Sequence, residues 1–270
     1  MYAFTFNRPQ TVRQAANLLA KDEEAKILAG GHSLLPTMKL RLAKPSQLVD
    51  LSKIEGLAVI EVSGRSLTIG AMTTHNDVNT SPVVQQAIPV LAKVAGMIGD
   101  PAVRHRGTIG GSLANNDPNA DYPAVALGLG ATIITNKRRI KADDYFTGMF
   151  STALEPGEII VKVSFPVPKK AAYQKFRNQA SRFALVGVFV SKRGSENRVA
   201  VTGAGANGVF RVKSFEEALK KRFAPKSLEG MSIPADGMNA DIHGSAEYRA
   251  HLVGVLARRA VAEAIGKPAA

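Results

Sequence analysis

The chain has 270 residues, 45% of them hydrophobic and 21% charged, the composition of a folded globular protein long enough for two or three domains. It has no cysteine, which excludes a thiol nucleophile, thiolate-held zinc and any iron–sulfur cluster ligated by this chain itself. Lys and Arg number 35 against 22 Asp and Glu, a net charge of +13, while Trp is absent and aromatics are only 6%, so a base-stacking nucleic-acid platform is disfavoured.

The cations lie in small clusters such as Lys137-Arg138-Arg139, Lys169-Lys170 and Lys220-Lys221-Arg222. They read first as a solvated basic surface, then as a face for an acidic partner subunit. No apolar run is long enough to cross a bilayer. The first residues lack the basic-then-apolar layout of a signal peptide. A cytoplasmic protein is expected.

In chain order, residues 2–6 read as a strand ended by Pro9. Thr11 is placed to cap a helix running to Ala20, with Val12, Ala15, Ala16 and Leu19 on one face. Residues 26–29 form the next strand, followed by Gly30-Gly31 and a short helix carrying Leu34, Leu35, Met38 and Leu40. Residues 47–51 are again strand-like. This β-α-β-α-β order predicts a small parallel sheet over residues 1–55.

The pattern then changes. Residues 58–62 and 66–71 flank Ser63-Gly64-Arg65, a hairpin signal. Thr73 or Thr74 caps a helix before Pro82, residues 82–99 read as largely helical, and residues 101–116 read as glycine- and turn-rich. Residues 121–130 predict a helix, 131–135 a strand, and 159–165 a strand closed by Pro166. A boundary near Pro166 ends a second domain of residues 56–168. Residues 171–177, 183–191 and 198–204 give three strands, and 215–223 and 246–265 two helices, in a third domain of residues 169–270 whose tail, 266–270, is expected to fray.

Two short stretches share a composition that binds phosphate. Residues Ile27, Leu28, Ala29, Gly30, Gly31, His32, Ser33 and Leu34 run from strand through a glycine turn into a helix. Residues Thr108, Ile109, Gly110, Gly111 and Ser112 repeat the small-or-polar, Gly-Gly, polar order. Glycine lets a diphosphate approach the backbone, and the turn aims N–H groups at it. The hydroxyls of Ser33, Thr108 and Ser112 can donate to phosphate oxygens. Neither stretch is Gly-x-Gly-x-x-Gly or a P-loop. A Rossmann nicotinamide site and a P-loop nucleotidase are therefore disfavoured.

The set of motifs resembles the FAD-binding medium subunit of the molybdenum hydroxylases, the family of the carbon monoxide dehydrogenase medium subunit and the flavin domain of xanthine dehydrogenase. The resemblance runs through Ala29-Gly-Gly-His-Ser33-Leu-Leu-Pro-Thr-Met-Lys-Leu-Arg41, Leu48-Val-Asp-Leu51, Ile69-Gly-Ala-Met-Thr73, Arg106-Gly-Thr-Ile-Gly-Gly111, Asp121-Tyr-Pro123, Glu155-Pro-Gly-Glu-Ile-Ile160 and Tyr173-Gln-Lys-Phe-Arg177. It covers almost the whole chain.

It implies an α+β chain: the two-part FAD-binding fold of vanillyl-alcohol-oxidase-like enzymes, then a three-stranded antiparallel sheet with a helical bundle. It implies that residues 27–34 and 108–112 cradle the FAD pyrophosphate and adjoining groups. Ile98 lines the adenine side, Asp121 accepts from a sugar hydroxyl, and Ile160 offers backbone contacts. Lys175 lies near the polar edge of the isoalloxazine and Phe183 covers its face. Each residue also has a plain structural role open to it. Asp121 can cap the following helix, Lys175 can sit on a solvated strand face, Phe183 can be core, and His32 can be a turn residue. His75, near a helix start, takes no role.

Three features depart from the pattern of the family that the chain resembles: Ser112 where Asn or Asp is frequent, Asp117-Pro-Asn-Ala-Asp121 in place of the more usual Asp-Pro-Gly-Asn-Asp, and Phe183 where relatives can carry Tyr. The absence of Cys disfavours the subtype with an extra cluster insertion that reduces 4-hydroxybenzoyl-CoA.

The function implied is electron transfer. A large subunit with the molybdenum cofactor hydroxylates the substrate, and electrons pass through iron–sulfur clusters of a small subunit to FAD on this chain and on to an external acceptor. No catalytic acid, base, nucleophile or metal site is required of this chain. A dimer of heterotrimers is the implied assembly. A stand-alone flavin oxidase or reductase on the same fold, and a basic non-enzymatic interaction protein, are the alternatives.

Overall fold

A computed structural model describes residues 1–267; most of the expected frayed tail, residues 268–270, lies outside the described residues. The first part is β1 (Thr5–Asn7), α1 (Val12–Ala20), β2 (Lys26–Leu28), α2 (Leu34–Lys39) and β3 (Gln47–Asp50). Its sheet has the order β1-β3-β2, with both pairings parallel. Thr11 caps α1 by accepting a hydrogen bond from the Gln14 N–H at 3.2 Å. α1 buries Ala15 against Val49, Leu51, Ile54 and Leu57.

The second part opens with the hairpin β4 (Ile60–Ser63) and β5 (Ser66–Gly70). Six helices follow: α3 (His75–Thr80), α4 (Pro82–Ala87), α5 (Pro89–Gly96), α6 (Pro101–Arg104), α7 (Ile109–Asn115) and α8 (Asp121–Leu129). Then come β6 (Thr132–Thr135), β7 (Arg139–Lys141), α9 (Ala142–Tyr145), β8 (Phe146–Gly148), β9 (Ser151–Thr152) and β10 (Ile160–Pro166). The five-stranded sheet has the order β4-β5-β10-β6-β7 and its pairings are antiparallel.

Two differences from the sequence expectation have local causes. Residues 82–99 do not form one helix. Pro89 has no N–H to give and forces Ile88 out of the helical region (φ −141°, ψ 77°), so α4 stops and α5 starts there. Residues 101–116 are not all turn: they hold α6 and α7, and Gly110 and Gly111 lie inside α7. Two adjacent glycines lower helix propensity by about 1 kcal/mol each, which hides the helix; Thr108 restores it as N-cap, accepting from the Gly111 N–H at 3.1 Å.

The third part is an antiparallel meander of β11 (Lys170–Arg177), β12 (Ala184–Arg193), β13 (Glu196–Thr202) and the two-residue β14 (Phe210–Arg211), then α10 (Lys213–Lys221) and α11 (Ala246–Ala264). β14 adds a short edge to the three long strands expected. α11 packs Leu252, Val253 and Leu256 on one face of this sheet with Val188, Val190 and Val201. α8 packs on the other face, against Tyr173, Phe189 and Ala200. Covered on both sides, β12 reads as a nearly continuous apolar run rather than an alternation. α8 comes close enough that a Cβ on Gly128 would stand 2.4 Å from the Phe189 ring. That packing carries Asp121, the first residue of α8, to β11.

Candidate functional site

Three backbone segments meet at the centre of the molecule. A Cβ on Gly30 would lie 2.2 Å from the Arg106 carbonyl oxygen and 2.7 Å from Gly107 Cα. A Cβ on Gly107 would lie 2.5 Å from His75 Nε2, and one on Gly110 would lie 2.7 Å from the Ala71 oxygen. The glycines of the two turns thus let the loops after β2 and before α7, and the segment after β5, pack backbone against backbone. Gly31 has a different reason to be glycine. Its φ is +77°, and a Cβ there would meet Leu35 at 2.9 Å.

Beside this junction is a cleft of about 820 Å³. Residues 27–34, Ile98, Thr108, Gly110, Gly111, Ser112, Asp121, Ile160, Lys175 and Phe183 all line it. Ile109 does not: its side chain is fully buried in the core with Leu113 and Tyr122.

The two turns differ in what they offer. At the second, the N–H groups are already used. Ile109 donates to the Thr73 oxygen, Gly110 to the Ala71 oxygen, Gly111 to Thr108 Oγ1 and Ser112 to the Thr108 oxygen. At the first, no N–H group of Gly30, Gly31, His32, Ser33 or Leu34 donates to another described residue. Five consecutive free N–H groups therefore lie at the cleft wall, while the second turn presents hydroxyls and a glycine surface. An anion finds its backbone donors on one side only.

The far wall carries a buried charge pair. Lys175 Nζ donates to Asp121 Oδ2 at 2.8 Å, and both side chains are almost wholly buried. Tyr173 Oη donates to Asp121 Oδ1 at 2.6 Å. Burial pushes the Asp121 carboxyl up, and Lys175 and Tyr173 pull it back. Room for Tyr173 comes from Gly187, where a Cβ would stand 2.1 Å from the tyrosine oxygen. Gly187 is also the strand partner of Lys175. Asp121 does not cap α8: the N-cap is Ala120, with no side-chain cap bond. Lys175 is not on a solvated face. Phe183 is 45% exposed and lines the cleft rather than the core. It follows a loop in which Asn178 Oδ1 accepts from the N–H groups of Ala180 and Ser181.

Replacing Tyr173 by Phe removes one donor from a buried carboxylate and is expected to destabilise the fold by about 1–3 kcal/mol, read as a shift in the urea midpoint.

Among cleft residues that the sequence did not single out are Met72, His75, Asp100 and Arg182. His75 had a visible signal, a histidine just after a capping threonine. It is buried, its Nδ1 has no partner, and its ring packs on Tyr122 at 5.3 Å between centroids. Burial, then the nearby His32 and Arg104, hold its pKa down at about 4. An unfolded histidine titrates near 6.5. Between those values the unfolded chain takes up a proton that folded His75 refuses, so stability falls as pH drops from 6.5 to about 4. The loss is about 3 kcal/mol at 1.36 kcal/mol per pH unit. Urea unfolding at pH 7 and pH 4.5 should show a smaller acid loss for His75→Gln than for the parent.

Among the described residues no group of His, Asp and Glu is arranged to hold a metal ion, and no helix is long and apolar enough to cross a membrane.

Comparison with known proteins points one way. Residues 2–168 match the family model described as FAD binding domain in molybdopterin dehydrogenase. The chain is 35% identical over 274 residues to the carbon monoxide dehydrogenase medium chain of Hydrogenophaga pseudoflava, covering 96% of each. It is 38% identical over 276 residues to the nicotine 6-hydroxylase medium subunit of Paenarthrobacter nicotinovorans, covering 97% of each. Its fold is similar to a chain of the Hydrogenophaga pseudoflava carbon monoxide dehydrogenase lacking the Mo-pyranopterin moiety of its cofactor, with a TM-score of 0.87, 34% identity and 98% of each chain covered.

Proposed function

The chain belongs to the family of FAD-binding domains of molybdopterin dehydrogenases, and from that membership we propose that its cleft is the FAD site of an oxidoreductase complex's medium subunit. The chain works with a large subunit carrying the molybdenum cofactor and a small subunit carrying iron–sulfur clusters, and electrons reach an external acceptor through FAD. FAD, when bound, supplies the redox chemistry; the protein supplies binding, orientation and electrostatics.

The observation that carries the reading is the run of free N–H groups from Gly30 to Leu34 at the wall of a cleft large enough for an extended ligand. Such a run suits a diphosphate. Across it, Thr108 and Ser112 offer hydroxyls, and Gly111 leaves the surface low. Lys175 places a cation in a nearly water-free setting, which suits the electron-rich edge of a flavin, and Phe183 offers an apolar face for a tricycle. Asp121 fixes Lys175 first of all; its part toward a sugar hydroxyl runs through a carboxylate already holding two donors.

The three larger sheets support a division at residues 1–55, 56–168 and 169–270. The assembly is a dimer of heterotrimers in the cytoplasm. The test is the visible spectrum and subunit content of the purified complex. The expected result is flavin bands with one large and one small partner for each copy of this chain. A colourless protein that takes up no FAD on reconstitution overturns the reading.

A further inference from the structure

The segment from Ala71 to His75 runs beside the cleft, which Ala71, Met72 and His75 line. Burial alternates along it: Ala71, Thr73 and His75 are buried, while Met72 and Thr74 are half-buried. Thr74 is extended (φ −72°, ψ 157°), and an extended chain sends every second side chain the same way. Thr73 and His75 therefore face the same interior. Backbone bonds pin the segment in place. The Thr73 oxygen accepts from the Ile109 N–H at 3.1 Å, and the His75 N–H donates to the Gly107 oxygen at 2.9 Å.

Behind this segment three buried polar atoms have no hydrogen-bond partner in the chain: Thr73 Oγ1, His75 Nδ1 and Tyr122 Oη. Their residues are 1%, 5% and 1% exposed. The Tyr122 ring packs on the His75 ring, so the tyrosine belongs to the interior that Thr73 and His75 face. An unpaired buried polar atom is destabilising, and three in one place point to a shared partner. An internal water makes about three hydrogen bonds, which is what these atoms together offer.

His75 joins that interior to the cleft. Of the three residues it alone lines the cleft. Its Nδ1 is cut off from solvent. Its Nε2 edge abuts Gly107, where a Cβ would stand 2.5 Å from that nitrogen, and Gly107 lies against Gly30 at the start of the free N–H turn. A diphosphate has acceptor oxygens only, so an imidazole serves it through an N–H. An uncharged ring has one N–H, and a proton on Nε2 leaves Nδ1 as an acceptor. One water completes the set: it accepts from the Tyr122 O–H and donates to His75 Nδ1 and to Thr73 Oγ1. Tyr122 keeps its proton for this, because burial and the Asp121 carboxylate push its ionisation up. We propose that His75 binds the FAD diphosphate through Nε2–H, and that Thr73 and Tyr122 position it through one internal water bonded to Nδ1. This rests on the FAD reading of the cleft.

The test uses the full chain with isotope-labelled histidine. Imidazole nitrogen NMR reads which ring nitrogen carries the proton, and His75→Gln assigns the His75 signals among the five histidines. Titration of flavin fluorescence gives the FAD dissociation constant. At neutral pH the FAD-loaded parent should show His75 protonated on Nε2 alone. His75→Leu should weaken FAD by about tenfold, and His75→Gln, whose amide can still donate, by less. Tyr122→Phe and Thr73→Val each remove one hydroxyl. Both should leave His75 a mixture of tautomers and weaken FAD, and neither should weaken it further in a His75→Leu background. A hydroxyl that serves only the fold would lower FAD affinity equally with or without His75, and that result overturns the positioning role. Parental FAD affinity in His75→Leu, or a proton on Nδ1 in the FAD-loaded parent, overturns the proposal while leaving the cleft assigned to FAD. The tautomer of the parent decides the matter should His75→Leu fail to fold. A parent that takes up no FAD overturns the reading of the cleft, and the proposal with it.

Discussion

Gly30→Ala is expected to yield a chain that retains no FAD and unfolds more readily by about 3 kcal/mol. The added methyl would sit 2.2 Å from the Arg106 carbonyl oxygen and 2.7 Å from Gly107 Cα, a backbone neighbour that cannot rotate away as a side chain could. Overpacking of this kind costs about 1–3 kcal/mol when the surroundings can shift; here the shift required is a separation of the two loops that frame the cleft. Stability and binding therefore fail together. Gly56→Ala is the control: Gly56 has positive φ but open space around its Cβ, so it should lose stability and keep FAD. The measurements are the urea midpoint and the ratio of visible to ultraviolet absorbance.

Lys175→Met is expected to destabilise the chain by about 3–5 kcal/mol, because it leaves the Asp121 carboxylate buried without its cation. The pair is within 2.8 Å and nearly excluded from water, so solvent cannot replace the missing charge. Adding Asp121→Asn should restore part of the loss, since the double variant buries no charge. A double-mutant cycle on urea unfolding measures this. If the double variant is as unstable as the sum of the singles, the pair is not coupled. FAD affinity should fall in Lys175→Met and should not return in the double variant, because the cation facing the cleft is absent from both.

Much of this site could be read in the chain because it rests on local chemistry. Strand, glycine turn and helix are consecutive at residues 27–34, and Thr11 and Ser33 stand where helices begin. The residues that share the cleft come from widely separated positions, such as Ile98, Asp121 and Lys175, and only the family resemblance brought them together in advance.

What could not be read was set by tertiary packing. Gly110 and Gly111 look like a turn but lie in a helix capped by Thr108, and position 110 takes glycine because the neighbouring Ala71 leaves no room for a Cβ. The same packing consumes the N–H groups of residues 109–112, so the two turns, alike in sequence, are unlike as anion sites. Gly31 is required by its left-handed backbone and by Leu35. The Tyr173–Asp121–Lys175 chain of hydrogen bonds spans a helix and a strand, and no spacing rule connects them.

Backbone hydrogen exchange with and without FAD reads the N–H groups of the two turns themselves. Amides 30–34 should exchange fast in the FAD-free chain and become strongly protected when FAD is added. Amides 109–112, already bonded within the protein, should be protected in both states. Protection that appears at 109–112 and leaves 30–34 unchanged would contradict the account of which turn holds the ligand. No change at either turn would contradict the assignment of the cleft to FAD.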